Sequence, residues 1–183
     1  MKNMDRRSFL GAGMVAFPLA LMGQSIKTSA PVKVARVSGG EDYQSHPQGL
    51  SPKEFGEILP ENINWMPFPA FPPSARLAIL VGEPAKSGPY AIRVKLPAGE
   101  KIMPHLHSED RIYTVISGVF YIGQGKTFDP DKLKAYAPGS VIVLPGNTPH
   151  FHWAKSGEYV TQVTAYGPLG ISYVDPKDDP RKR

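Results

Sequence analysis

From Arg76 onward, short runs of Val, Ile, Leu, Tyr and Thr recur between turn pieces such as Gly82-Glu83-Pro84, Pro97-Ala98-Gly99 and Pro145-Gly146-Asn147. Branched and aromatic side chains fit a pleated surface, whereas Gly, Pro and Asn supply the backbone angles that end it. The pattern predicts strands over 77–81, 90–96, 111–121, 140–144, 150–154 and 159–166. Within 90–96 the apolar Tyr90, Ile92, Val94 and Leu96 alternate with Arg93 and Lys95, as in a strand with one buried face. Over 159–166 the alternation is ambiguous, so taking Gln162 and Thr164 as inward-facing is an assumption. Helix is predicted at two places only. At 51–54, Ser51 can cap, Pro52 suits the first helical position and Glu54 completes a capping box. At Asp129-Pro130-Asp131 a brief helical turn should interrupt a hairpin connection. The fold class is therefore all-β.

Ahead of the strands, residues 31–75 read as an irregular arm containing Gly39-Gly40 and a run of Pro and Phe from Met66 to Pro73. Trp65, Phe68 and Phe71 are expected to pack that arm against the strands rather than to bind a ligand. Residues 1–30 begin with Lys2, Arg6 and Arg7, continue through an apolar stretch over 9–22 and end in small and polar residues, the layout of a signal peptide. The stretch is too short and Gly-rich for a membrane span, which needs about 20 apolar residues. Arg6-Arg7-Ser8-Phe9-Leu10 resembles the twin-arginine export motif. That resemblance implies a bacterial protein that folds before export to the periplasm, with cleavage in 25–30, after Ala30 or after Ser25. The expected organisation is a signal peptide over 1–30, the arm over 31–75, one barrel over 76–175 and a flexible charged tail over 176–183. No internal repeat argues for a second barrel.

Length and composition agree. A chain of 183 residues suits one domain, and its 20 Pro and 18 Gly suit many short strands. The net charge of +5 owes three units to residues 1–30, where Lys2, Arg6, Arg7 and Lys27 outweigh Asp5. Part of the rest is the tail Arg181-Lys182-Arg183, and no basic run is interleaved with stacking aromatics, so no nucleic-acid partner is expected. No membrane association is expected after signal cleavage. The absence of cysteine excludes disulfides, thiolate metal sites and thiol nucleophiles, leaving His, carboxylate and water as ligands for any metal.

Four of the five histidines form two His-x-His pairs, His105-Leu106-His107 and His150-Phe151-His152. Residues two apart on a strand share a face, so each pair can project side by side, about 7 Å apart along the chain. His46, in a loop before Pro47, is expected to be a solvated histidine.

The spacing around these pairs carries a family resemblance. Gly99, five residues, His105-Leu106-His107 and later Gly118 resemble the first cupin motif, and Gly139, five residues, Pro145 and then His150 resemble the second. The resemblance covers residues 77–174. It implies a double-sheet jelly roll in which His105, His107 and His150 bind a divalent transition metal, Fe, Zn, Mn, Cu or Ni. The family's glutamate is missing, because six residues before Gly118 stands Arg111. Glu109 might substitute from the strand's beginning, while Asp110 should face away. Asn147 occupies the usual Gly position of the second motif, which implies a left-handed backbone kept by the next most tolerant residue.

Two functions follow from the resemblance. One is a metal-dependent enzyme of oxygenase- or isomerase-like chemistry on a small organic molecule. Arg111, facing inward, would orient an anionic group, and Tyr113 or His152 would move a proton. The other is a non-catalytic periplasmic binding or sensor protein whose histidines only hydrogen-bond. His152 is open to three roles: fourth ligand, base or lining residue. The family also implies a homodimer through edge strands.

Overall fold

The computed structural model describes residues 49–183. The proposed signal peptide, the first part of the arm and His46 lie outside the described residues. No helix among the described residues is long and apolar enough to cross a membrane.

The strands run in chain order β1 Arg76–Val81, β2 Gly88–Leu96, β3 Lys101–Leu106, β4 Arg111–Ser117, β5 Phe120–Gln124, β6 Lys134–Tyr136, β7 Val141–Leu144, β8 His150–Trp153, β9 Tyr159–Gly167 and β10 Ser172–Tyr173. They form two five-stranded antiparallel sheets, ordered β1-β2-β9-β4-β7 and β10-β3-β8-β5-β6. Consecutive strands repeatedly change sheet, which closes the two layers around one core. That core joins Tyr90, Ile92 and Leu96 of β2, Tyr113 and Val115 of β4, and Tyr159 and Val163 of β9 to Ile102 and Phe120 of the facing sheet. Each such side chain contributes about 1.5–3 kcal/mol on full burial.

The predicted strand 111–121 is two strands. Gly118 takes φ 69° and turns the chain from one sheet to the other, with Glu158 O only 2.1 Å from where a β-carbon would stand. The short β6 and β10 escaped the pattern because three and two residues show no periodicity. The helix expected over 51–54 is a single turn, with Ser51 Oγ accepting from Lys53 N at 3.2 Å. No apolar face follows the capping residues, so nothing packs to propagate a helix. At Pro130–Lys132 the expected turn is present as a 3-10 turn, capped by the Asp129 carboxylate on Asp131 N at 3.0 Å.

The arm follows its prediction. Met66 bridges Leu77, and Phe68 and Phe71 are buried edge to face at 5.0 Å. Residues 176–183 depart from the flexible tail expected from their charge. Asp179 is buried, Arg181 donates to both of its carboxylate oxygens at 2.8 and 2.9 Å, and Arg181 Nη2 reaches Ile171 O at 3.3 Å.

Candidate metal centre

The two histidine pairs meet because β3 and β8 are neighbours, with His105 directly opposite His150. The β3 register shifts between Ile102 and His105. Pro104, which has no N–H to give the ladder, sits inside this bulge. The shift changes the parity of the strand, so Ile102 faces inward and so do His105 and His107.

Each of three rings is aimed by its own backbone bond. The Nδ1 of His105 donates to Met103 O at 2.8 Å, that of His107 to Gly170 O at 2.5 Å and that of His150 to Thr148 O at 2.9 Å. A donating Nδ1–H leaves Nε2 as the lone-pair nitrogen. The ligand atoms of His105, His107 and His150 lie within 4.8 Å of one another, and the three side chains are buried. Nε2 of His105 and of His150 finds no hydrogen-bond partner among the described residues. Burial holds His105 and His107 well below the ordinary imidazole value, and His150 is lowered to about 4. The neighbouring imidazoles act in the same direction on His105, and the Arg111 charge on His107. These are neutral imidazoles whose desolvated lone pairs converge, and they fit one divalent ion.

His152 stands beside this trio but outside it, its ring centroid 5.3 Å from His105 and 5.1 Å from His150. Its Nδ1 lies 3.4 Å from the Tyr159 hydroxyl, and its Nε2 is unpartnered, as is the Tyr113 hydroxyl. Burial drives His152 well below its usual value and raises Tyr113, so both are neutral at pH 7. A cavity of about 10 Å³ separates these groups, lined by His105, His107, Arg111, Tyr113, His152 and, from the arm, Phe71. That volume holds one water or ion and no organic molecule.

Arg111 does face inward, at 2% exposure, but its guanidinium is taken. Glu109 Oε1 accepts from Arg111 Nη2 at 2.5 Å and Nε at 3.0 Å, and from the Tyr90 hydroxyl at 3.0 Å. Glu109 Oε2 accepts from Ser108 Oγ at 3.1 Å and Gly170 N at 3.2 Å. Burial works against the Arg111 charge, yet the groups around it, Glu109 among them, hold it protonated.

No family model and no curated protein matches the chain in sequence. Solved structures do match. The polyketide cyclase RemF from Streptomyces resistomycificus superposes with a TM-score of 0.57 at 15% identity, over 70% of this chain and 92% of that one. A cupin 2 conserved barrel domain protein from Rhodopseudomonas palustris gives 0.51 at 14%, over 67% and 87%. The DMSP lyase DddQ from Ruegeria pomeroyi DSS-3 gives 0.50 at 20%, over 60% of each chain. At these identities the likeness is one of fold.

The fold is the cupin jelly roll.

Within this cupin barrel the expected left-handed position at Asn147 is present, with φ 59°. Its N–H donates to His107 O at 2.6 Å, so the second motif's turn braces the first motif's histidine. Asp110 faces away as expected and accepts from Gly146 N at 2.7 Å. Two expectations fail. Glu109 does not join the histidines, because five donors already occupy its two oxygens. Gln162 and Thr164 face outward: Gln162 accepts from Arg93 Nε at 3.1 Å, Thr164 is exposed, and Thr161 and Val163 line the cavity instead. The pairing of Arg93 with Gln162 across β2 and β9 fixes that phase. Tyr90, Thr161 and Phe71 were missed as neighbours of the centre. Only the clear alternation of β2, carried across the ladder to β9, held a signal for any of them.

Proposed function

We propose that this cupin-fold chain is exported and holds one divalent transition metal through His105, His107 and His150. There it acts on a small organic anion with oxygenase- or isomerase-like chemistry. The observation that carries the reading is the convergence of buried, neutral imidazoles whose Nδ1–H groups are tied to carbonyls, leaving lone pairs at His105 and His150 without partners. A bound ion there supplies Lewis acidity toward an oxygen of the substrate. The chain's own contribution is the proton. His152 Nε2 is a neutral acceptor, and the Tyr113 hydroxyl a neutral donor, both facing the same interior. Arg111 acts as a positioning residue: its charge, balanced by Glu109, disfavours imidazolium at His107. Orientation of the substrate's anionic group is therefore assigned elsewhere.

The printed names of the solved relatives, a cyclase and a lyase among them, support small-molecule chemistry. Elemental analysis of the full chain purified in its folded form should find about one equivalent of a transition metal, lost in a His105→Ala/His150→Ala variant. Less than about a tenth of an equivalent, with no uptake on titration, overturns the reading.

A second reading, a metal-free periplasmic binding or sensor protein, draws on the occupied Glu109, which leaves a metal only neutral ligands. Export rests on Arg6-Arg7-Ser8-Phe9-Leu10, and Arg6→Lys/Arg7→Lys should retain the chain in the cytoplasm. A homodimer through the β7 edge is part of the same proposal.

A further inference from the structure

The centre's own cavity is too small for a substrate, so the wider barrel interior matters. A second cavity of about 360 Å³ opens where the two sheets end side by side, between the edges β6 and β7. This is within the range of small-molecule sites. Its walls are set in register with the histidine centre. In the ladders, Ile122 lies opposite His152 and Gln124 opposite His150, while Leu144 lies opposite Arg111 and Ile142 opposite Tyr113. Directly opposed residues share a face, so this cavity continues the inner surface that carries the centre.

Its mouth is basic. Lys134 lies opposite Ile122 on β6, hence on the inner face, and Lys132 ends the preceding 3-10 turn. Lys134 makes no ion pair among the described residues and stands 5.2 Å over the Tyr136 ring. Lys132 has one loose, exposed partner, Asp129, at 3.6 Å. Two strand spacings, about 10 Å, separate β6 from the His152 strand.

Resting on the metal-centre reading, we propose that this lateral cavity is the substrate site and that its ligand is a small organic monocarboxylate with a compact apolar body. Lys134, helped by Lys132, takes the carboxylate at the mouth. Ile122, Ile142 and Leu144 cover the apolar body. Gln124 beside His150 and the Ile122–Leu144 end of the cavity bring the other end of the molecule to the centre. This supplies the anion recognition that Arg111, paired with Glu109, does not.

Benzoate tests the site, titrated by calorimetry into the full chain, both stripped of metal and loaded with cobalt. Binding is expected in both forms, weakening with added salt. Lys132→Gln/Lys134→Gln should weaken it roughly tenfold, and Leu144→Trp, which fills the cavity, should abolish it. Because Leu144 is buried, the two surface lysines decide if the tryptophan variant fails to fold. Absence of binding at about 10 mM benzoate, or a lysine variant with unchanged affinity, overturns the proposal; in the latter case the lysines serve only to protect the sheet edge. Cobalt uptake, followed by its visible absorption, reports separately on the histidine centre. Failure there leaves the benzoate result of the metal-free protein standing.

Discussion

Burying His105, His107, His150 and His152 neutral has a consequence for the metal-free chain. A histidine whose folded pKa lies below the unfolded value of about 6.5 costs nothing at pH 7, where both states are neutral. As pH falls below that value the unfolded chain takes up a proton that the folded one refuses, and stability drops. For His150, lowered to about 4, the window runs from pH 6.5 down to 4. The slope is about 1.4 kcal/mol per pH unit for each such histidine. The urea midpoint of the metal-free protein should therefore fall steeply between pH 6.5 and 5, and a His150→Asn variant should show a shallower fall. The buried Arg111–Glu109 pair, at 2% and 8% side-chain exposure, makes a second prediction at this scale. Glu109→Ala strands the guanidinium and should cost about 3–5 kcal/mol in urea unfolding. Arg111→Met/Glu109→Gln, which removes both charges, should recover much of that loss. The three histidines of the centre were legible in the sequence because spacing within a strand fixes them. The Arg111–Glu109 pair was not, since a residue two positions upstream swings its side chain back through a turn that no periodicity encodes.

Among the elements, those with long, clean alternation were legible and those made by a single backbone event were not. β2 reads directly from Tyr90, Ile92, Val94 and Leu96, and the same alternation is seen in its burial. The bulge at Pro104 and the bend at Gly118 both reset parity, and a pattern read across either one loses the correct face. β9 misled for another reason: Thr161 and Gln162, neighbours of like polarity, lie on opposite faces, and only pairing with β2 and β4 decides which is inside. Gly118 gives the element scale its test. A methyl group there meets Glu158 O at 2.1 Å and Tyr159 Cα at 2.8 Å, backbone atoms that cannot swing away, on a residue at φ 69°. Gly118→Ala should cost about 2 kcal/mol or more. Gly139→Ala, at φ 87° with open space around the added carbon, should cost less. Urea midpoints of the two variants measured together check the order.

Across the whole molecule, the two sheets have four edges, and three of them are guarded. β1 is bridged by Met66 and Leu50, β10 is two residues long, and β6 carries Lys134 with Lys132 close by. Short strands, covering segments and lysines are the devices that keep sheet edges from pairing with other chains. β7 has none of them. Its sequence Val141-Ile142-Val143-Leu144 carries no charge or proline, and Val141 and Val143 are 63% and 68% exposed. They stand opposite Thr114 and Ile112 of β4, and Ile112 and Ile116 add further exposed apolar surface to the same outer face. An antiparallel strand is complementary to itself about a two-fold axis, so a second copy of β7 answers both the open backbone groups and the apolar face. β7 also walls the lysine cavity, so a partner there narrows its mouth. In light scattering after size-exclusion chromatography, the wild-type chain should run as a dimer and Val143→Lys as a monomer. The monomer should keep its unfolding midpoint and bind benzoate no more weakly than the wild type. A wild type that is monomeric at all accessible concentrations removes the β7 interface, and the edge would then need a different partner to account for its four uncharged residues.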